Sequence, residues 1–175
     1  MKPRLLLISD LWGNEKSEWI KNYINNLNSS FKIQFYDSCD LGNVDTSDYR
    51  EKNLHRQFVN GGINTALERL LVLEKEKVNV LAFSIGGTIA WKAALLGLKT
   101  DRFYAISSTR LRYETEKPNC HTQLYFGEKD FHQPNLDWQA NIGVKPYIFK
   151  GKEHKLYTEM DCIEKVCDQI KSHEK

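Results

Sequence analysis

The chain has 175 residues, of which 41% are hydrophobic and 27% are charged, and these proportions are ordinary for one soluble globular domain. Its formal charge of +2 is too small to indicate a nucleic-acid-binding protein. No apolar run approaches the roughly 18 residues that a membrane span needs, and Leu5-Leu6-Leu7-Ile8 is too short for the core of a signal peptide.

Apolar runs and amphipathic segments alternate along the whole chain. Continuous apolar runs predict six strands, at residues 4–9, 32–36, 78–83, 102–106, 121–126 and 145–149. Apolar residues at helical spacing predict four helices, at residues 15–28, 62–75, 88–96 and 158–172. The connection from 37 to 61 is polar, and no repeat or linker divides the chain, so we expect a single domain over residues 1–175.

This alternation predicts the fold class. Strands separated by helices pair in parallel through right-handed crossovers, and strands covered on both faces are apolar throughout. The sequence therefore predicts an α/β fold, a doubly wound and mostly parallel sheet of about six strands with helices on both faces. In such a sheet the binding crevice lies at the carboxyl ends of the strands, so polar residues directly after a strand are the candidates for a site.

Ser84 directly follows the third predicted strand and precedes a helical segment. The small residues Ala82 and Gly86 on either side would let a strand-to-helix turn close tightly and force the serine outward, as in a nucleophile elbow. The usual elbow pattern is G-x-S-x-G, and here alanine replaces the first glycine. The helix N-terminus that follows favours a developing anion. Ser84 is therefore the candidate nucleophile.

Two later strand ends carry groups that could activate this serine. Gly127-Glu128-Lys129-Asp130 follows the fifth predicted strand, and Gly151-Lys152-Glu153-His154 follows the sixth. A serine hydroxyl needs a base to take its proton, and histidine titrates in the right range. The histidine in turn needs a carboxylate to fix its tautomer. The Gly-x-x-Asp spacing favours Asp130 as this acid, with Glu128 as the alternative.

The order Ser…Asp…His, together with the elbow 82–86, resembles the α/β-hydrolase superfamily over nearly the whole chain, residues 5–170. The resemblance implies that Ser84 is the nucleophile, Asp130 the orienting acid and His154 the base.

The same resemblance implies an oxyanion hole made of backbone N–H groups. One donor would be Ile85, and the second would be Leu11 or Trp12 in the loop after the first strand.

The chain departs from the family pattern in two places. Many relatives carry His-Gly after the first strand, where this chain has Asp10 and Leu11, and an unpaired carboxylate there would oppose an oxyanion. Larger relatives insert a lid between the fourth and fifth strands, where this chain has only the 14 residues 107–120. We therefore expect a minimal fold without a cap domain and an open site, with three candidate substrate-binding residues, Asp10, Phe83 and Arg110.

Together these observations predict a serine-dependent carboxylesterase or thioesterase that cleaves a small ester or thioester through an acyl-enzyme. The four cysteines (39, 120, 162 and 167) have no metal-ligand spacing, so we expect free thiols, a cytoplasmic location, no metal and no cofactor. Neither a nucleic acid nor a membrane is an expected partner. The alternative is a non-catalytic protein of this fold that binds a ligand or protein in the crevice; a His154 ring out of reach of Ser84 and Asp130 would favour it. The oligomeric state and the identity of the substrate stay open.

Overall fold

The computed structural model of the chain describes residues 2–173 and contains one six-stranded sheet. Its strands are β1 (Arg4–Ile8), β2 (Lys32–Tyr36), β3 (Val78–Phe83), β4 (Thr100–Ile106), β5 (His121–Gly127) and β6 (Tyr147–Phe149). All neighbouring strands pair in parallel, in the spatial order β2-β1-β3-β4-β5-β6. The predicted doubly wound parallel sheet is therefore confirmed, and each strand end lies within about two residues of its predicted position, as local apolar runs allow.

Helices cover both faces of this sheet. They are α1 (Ile20–Leu27), α2 (Ser38–Gly42), α3 (Glu51–Gln57), α4 (Ile63–Leu73), α5 (Ile85–Leu95), α6 (Leu136–Ile142) and α7 (Met160–Ser172). Helices α4, α5 and α6 pack into one hydrophobic cluster, and α1 and α7 pack into the other. Successive side chains of each central strand point into opposite clusters, so both faces of the sheet are apolar.

Two of the four predicted helices begin three or more residues from the predicted position, and the other two begin within two residues of it. Helix α1 begins at Ile20 instead of residue 15, because residues 11–16 form turns, and the Asn14 N–H donates to Asp37 Oδ2 over 2.6 Å. Helix α5 begins at Ile85 instead of residue 88, so it includes two glycines that propensity alone argues against. In both cases a contact with a distant segment decides the boundary.

The polar connection from 37 to 61 contains helices that the pattern does not predict. Asp37 caps α2 by accepting the N–H groups of Cys39 and Asp40. Helix α3 buries only Leu54, so its sequence has no apolar stripe from which a helix could be predicted. Residues 58–62 join α3 to α4 through a wider turn in which Gly61 has a φ of 129°. This connection lies beside the carboxyl edge of the sheet and forms part of the site.

The direction in which successive strands are placed along the sheet reverses at β1. It moves outward from β1 to β2 and then returns to place β3 on the opposite side of β1. The loops after β1 and β3 consequently diverge, which opens a crevice at the carboxyl ends of these two strands. Within the described residues, the connection between β4 and β5 contains only a short 3-10 turn, Leu111–Tyr113, in agreement with the predicted absence of a cap.

Candidate active site

Ser84 lies on a strained turn between β3 and α5. Its backbone has φ 50° and ψ −118°, a conformation that side chains with a Cβ rarely adopt, and the residue is buried. The surrounding backbone holds this turn from both ends. The Ser84 N–H donates to the Ile106 carbonyl (3.0 Å), and the Ser84 carbonyl accepts from the N–H groups of Gly87 (3.1 Å) and Thr109 (3.3 Å). The strain is thus maintained by contacts with the end of β4 and the loop after it.

Gly86 allows the first turn of α5 to press against the end of β1. A Cβ on this residue would lie 2.7 Å from the Ile8 carbonyl oxygen and closer still to that of Ser9. Only glycine fits such an approach between two backbones. The sequence pattern identified this glycine, and the structure gives the reason for it.

A continuous chain of hydrogen bonds joins Ser84, His154 and Asp130. Ser84 Oγ lies 3.1 Å from His154 Nε2, and His154 Nδ1 lies 2.9 Å from Asp130 Oδ2. The histidine begins the 3-10 turn His154–Thr158 after β6, and the aspartate follows β5. The His154 ring is therefore within hydrogen-bond distance of both partners, which is the geometry that the enzyme hypothesis requires and the non-catalytic alternative does not.

Asp130 is buried and remains an acceptor. Burial raises the pKa of its carboxyl, but the hydrogen bond and charge of His154 and the N–H of His132 outweigh burial, so its pKa lies below its usual value. Oδ1 accepts the His132 N–H over 3.0 Å while Oδ2 faces His154. Glu128, the alternative acid, instead accepts the Gly151 N–H over 2.8 Å. The geometry therefore pairs His154 with Asp130.

Of the first three residues after Asp10, only Leu11 has a backbone N–H without a protein acceptor. The Trp12 N–H donates to Asp10 Oδ1 (3.0 Å), and the Gly13 N–H donates to the Asp10 carbonyl (3.3 Å). Among residues 2–173, neither the Leu11 N–H nor the Ile85 N–H has a protein acceptor. Of the two candidates for the second oxyanion donor, Leu11 is thus the one with a free N–H.

Asp10 is 2% exposed and hydrogen-bonded on both carboxylate oxygens. The Tyr157 hydroxyl donates to Oδ2 over 3.0 Å, opposite the Trp12 N–H on Oδ1. Burial raises the pKa of Asp10 to about 6, although both hydrogen bonds and the charges of Lys155 and His154 act in the other direction. The sequence analysis noted that an unpaired carboxylate at this position would oppose an oxyanion. In the structure, the Asp10 carboxylate is buried and hydrogen-bonded on both oxygens.

A cavity of about 500 Å³ lies over these groups. Its floor includes Ser84, Ile85 and Leu11, and its wall includes residues of α3 and the turn after β5. The lining residues are Leu11, Trp12, Glu51, Lys52, His55, Phe58, Ser84, Ile85, Thr109, Phe131, His132, His154, Lys155 and Tyr157. This volume is in the range of small-molecule sites.

His132 is a cavity residue that the sequence did not single out. Its ring centroid lies 5.0 Å from that of His154, and its Nδ1 lies 3.3 Å from Arg112 Nη1. Because a guanidinium only donates, this Nδ1 is the acceptor and the neutral ring carries its proton on Nε2. Burial, then the charges of His154, Arg112 and His55, lower the pKa of His132, which agrees with a neutral ring. Its position two residues after Asp130 is the one signal in the sequence.

The three predicted substrate-binding residues lie outside the cavity lining. Phe83 is fully buried and packs edge-on against Trp19, with ring centroids 4.7 Å apart, because β3 directs it into the α1–α7 cluster. The Arg110 guanidinium lies over the Tyr113 ring at 5.0 Å. Asp10 is beneath the loop, as described above. These three predictions are not supported, because each side chain is engaged elsewhere.

The described residues contain no group of three or more His, Cys, Asp and Glu side chains placed to hold a metal ion. Their four cysteines are free thiols. In the same residues, no helix has the length and apolar character to cross a membrane.

The chain matches no protein-family model and no curated protein sequence. Solved structures of similar fold include the α/β-hydrolase enzyme MGS-MChE2 from a lagoon-sediment metagenome of Mar Chica, Morocco (TM-score 0.68, 13% identity, covering 100% of this chain and 93% of that one). Est1E from Butyrivibrio proteoclasticus, solved with ferulic acid bound, has a TM-score of 0.68 at 12% identity, covering 98% and 87%. Carboxylesterase CesB from Bacillus subtilis has a TM-score of 0.65 at 13% identity, covering 98% and 83%. The chain therefore has the fold of the α/β-hydrolase superfamily, as the resemblance predicts.

Proposed function

We propose that this protein is a serine hydrolase that cleaves a small carboxylic ester or thioester through an acyl-enzyme on Ser84. The observation that carries the proposal is the hydrogen-bonded chain from Ser84 Oγ through the His154 ring to Asp130, at the floor of a cavity. Such a chain is what a serine needs to act as a nucleophile. Similarity in fold to esterases is consistent with this reaction class.

Acylation would use these groups in turn. Ser84 Oγ attacks the carbonyl carbon while His154 Nε2 takes the hydroxyl proton, and the carbonyl oxygen becomes an oxyanion. The free N–H groups of Leu11 and Ile85 would donate to that oxyanion. When the tetrahedral intermediate collapses, the bond to the leaving alcohol or thiol breaks, and His154 gives its proton to the leaving group.

Deacylation would repeat the sequence with water. His154 takes a proton from a water molecule that attacks the acyl carbon, and the second intermediate releases the carboxylic acid and returns the proton to Ser84. Asp130, ionised because its pKa is low, would hold the Nδ1 proton and stabilise the imidazolium in both halves of the reaction. No metal or cofactor is needed for these steps.

Labelling with a fluorophosphonate probe tests the proposal directly. We expect the wild type to be labelled and to give a burst of p-nitrophenol from p-nitrophenyl acetate, and Ser84→Ala to lose both, with kcat reduced by about 10⁵–10⁶. Ser107→Ala is the matched control, because Ser107 is also buried at a positive φ of 50° after a strand, but its hydroxyl has no hydrogen-bond partner among residues 2–173. A folded wild type that is neither labelled nor active on short esters and thioesters would refute the proposal.

The domain organisation, the location and the class of substrate are also proposals. We infer one domain that works in the reducing cytoplasm on a small-molecule substrate. Burial raises the pKa of the Cys162 and Cys167 thiols to about 12, which favours inert core residues over reactive or bridged ones.

A further inference from the structure

Asp10 directly precedes the residue proposed as the second oxyanion donor, Leu11, and its side chain is buried and hydrogen-bonded. Both of its carboxylate oxygens accept a hydrogen bond of 3.0 Å, one from the Trp12 N–H and one from the Tyr157 hydroxyl. A buried carboxylate with both oxygens paired fixes the groups that donate to it. The peptide groups around Asp10 show which part of the backbone it holds.

Hydrogen bonds hold both peptide groups that flank Leu11, but none of them uses the Leu11 N–H. The Gly13 N–H donates to the Asp10 carbonyl, the Trp12 N–H donates to the Asp10 side chain, and the Leu11 carbonyl accepts from Cys39 Sγ over 3.2 Å. Within residues 2–173 the Leu11 N–H alone of these donors is left without a protein acceptor, and Leu11 lines the cavity. Because peptide groups are planar, the bonds from the Gly13 N–H and the Ser9 hydroxyl to the Asp10 carbonyl orient the peptide that carries the Leu11 N–H. The bonds on the Leu11 carbonyl and the Trp12 N–H orient the next peptide, so the turn is held on both sides of Leu11.

The second oxygen of Asp10 connects this turn with the segment that carries the histidine. Tyr157 lies in the same 3-10 turn as His154, and their rings meet edge to face with centroids 6.1 Å apart. The Asp10–Tyr157 hydrogen bond therefore joins the loop after β1 to the turn after β6, two segments 147 residues apart in sequence. One carboxylate holds both the loop that would supply an oxyanion donor and the turn that supplies the base.

We propose that Asp10 is a positioning residue. Its carboxylate holds the Leu11–Trp12 turn in the arrangement that presents the Leu11 N–H to the cavity. Through its bond to Tyr157, the same carboxylate holds this turn at a fixed position relative to His154. This inference rests on the proposed function of Ser84. It explains how a carboxylate can lie next to an oxyanion site: its charge is engaged by two donors below the loop, and it acts through the backbone.

Amide hydrogen exchange tests the geometry without any substrate. In the wild type and in Asp10→Asn, whose side-chain oxygen can still accept from Trp12, we expect the Trp12 amide to be protected at least about 100-fold more than the Leu11 amide. In Asp10→Ala the two should exchange at rates within a few-fold. Equal exchange of the two amides in the wild type, or protection of Trp12 that survives in Asp10→Ala, would overturn the proposal.

Kinetics with a transition-state analogue test the consequence. A trifluoromethyl ketone forms a tetrahedral adduct on the serine and places an oxyanion in the hole. KM stays unchanged when a variant slows acylation and deacylation by the same factor without altering substrate binding. For Asp10→Ala we expect kcat to fall by about 10–100-fold and the inhibition constant to rise by a similar factor, with KM within about three-fold of wild type. Asp10→Asn should keep kcat within about five-fold, because it restores the acceptor without the charge.

Tyrosine variants cover the case in which Asp10→Ala does not fold. Tyr157→Phe keeps the ring and removes only the bond to Asp10, and we expect kcat to fall about 3–10-fold with KM unchanged. Tyr125→Phe is the matched control, because its buried hydroxyl has no partner among the described residues, and its kcat should equal that of the wild type.

The outcomes separate this inference from the proposed function. Normal kcat and inhibition in folded Asp10→Ala or Tyr157→Phe, with Ser84-dependent activity in the wild type, would overturn the positioning role alone. Asp10→Asn as impaired as Asp10→Ala would also overturn it, because the charge and not the hydrogen bond would then matter. Absence of Ser84-dependent activity in the wild type would refute the proposed function, and the exchange experiment would still decide the role of Asp10 in the loop.

Discussion

The two sides of the cavity are built in different ways. On the side of the proposed triad, which we call the catalytic side, Ser84, Asp130 and Asp10 are each at most 3% exposed, and backbone atoms approach one another closely enough to require glycine. Other lining residues, Phe131 and those of α3, form what we call the exposed wall: Phe131 is 83% exposed, and α3 buries only Leu54 of its own residues. Packed backbone therefore sets the geometry around Ser84, whereas the exposed wall consists of side chains with few packing constraints.

Helix α3 forms part of the cavity wall. It contributes Glu51, Lys52 and His55 to the cavity, although the connection between β4 and β5 contains no inserted domain. Its ends are held by local hydrogen bonds, such as Gln57 Nε2 to the Asp45 carbonyl over 2.9 Å. A helix with one buried residue is held weakly, so this wall should tolerate substitution far better than the catalytic side.

The largest expected effect comes from closing the backbone approach on the catalytic side. Gly86→Ala should lower the free energy of unfolding by about 3 kcal/mol or more and abolish activity, because the new Cβ would overlap the carbonyls of Ile8 and Ser9. This reverses the ordinary gain of up to about 1 kcal/mol for Gly→Ala inside a helix. Urea unfolding and ester hydrolysis provide the measurements.

Gly143→Ala is the control for that substitution. Gly143 has a φ of 71° but open space around it, so the change should cost only about 1 kcal/mol and leave activity intact. Equal destabilisation by the two variants would contradict the contrast between close approach and backbone strain.

A smaller effect is expected from the buried charge. The pKa of Asp10 rises on folding from 3.8 to about 6, so its ionisation opposes folding: the associated stability is fully present below pH 4 and is lost as the pH rises through 6. Asp10→Asn removes this loss. The stability of the variant relative to the wild type should therefore increase by up to about 3 kcal/mol between pH 4 and pH 7.5.

Urea unfolding of both proteins across this pH range checks the prediction. Other titrating groups are common to both chains and cancel in the difference. A difference that is flat with pH would mean that folding leaves the pKa of Asp10 unchanged, and it would contradict a cost of burying this charge.

The smallest effect is expected on the exposed wall. Phe131→Ala should change the free energy of unfolding by less than about 0.5 kcal/mol, because its side chain is largely in water. It should raise KM a few-fold for esters with bulky acyl groups and leave acetate esters unaffected, since Phe131 lines the cavity. Leu136→Ala, at a residue that is 79% exposed outside the cavity, should change neither quantity. A large loss of stability in Phe131→Ala would break the contrast between the two sides.

The amino-acid sequence alone predicts the six strands, their parallel pairing and the edge of the sheet on which a site would lie. Each strand is a local apolar run, and the parallel connections leave few topologies to choose from. It also placed Ser84, Asp130 and His154 on strand ends of that edge, where the structure joins them by hydrogen bonds. These features depend on residue type and order alone.

Which hydrogen-bonding groups around the site have a partner, and which do not, depends on the tertiary structure. Phe83 is a core residue, Trp12 has given its N–H to Asp10, and His132 stands beside His154. None of this follows from local pattern, because each outcome depends on a partner brought close by the fold. The hydrogen bond between Asp10 and Tyr157 joins residues 147 positions apart in sequence. The role of such a side chain depends on which distant groups occupy its donors and acceptors, and local sequence does not specify those groups.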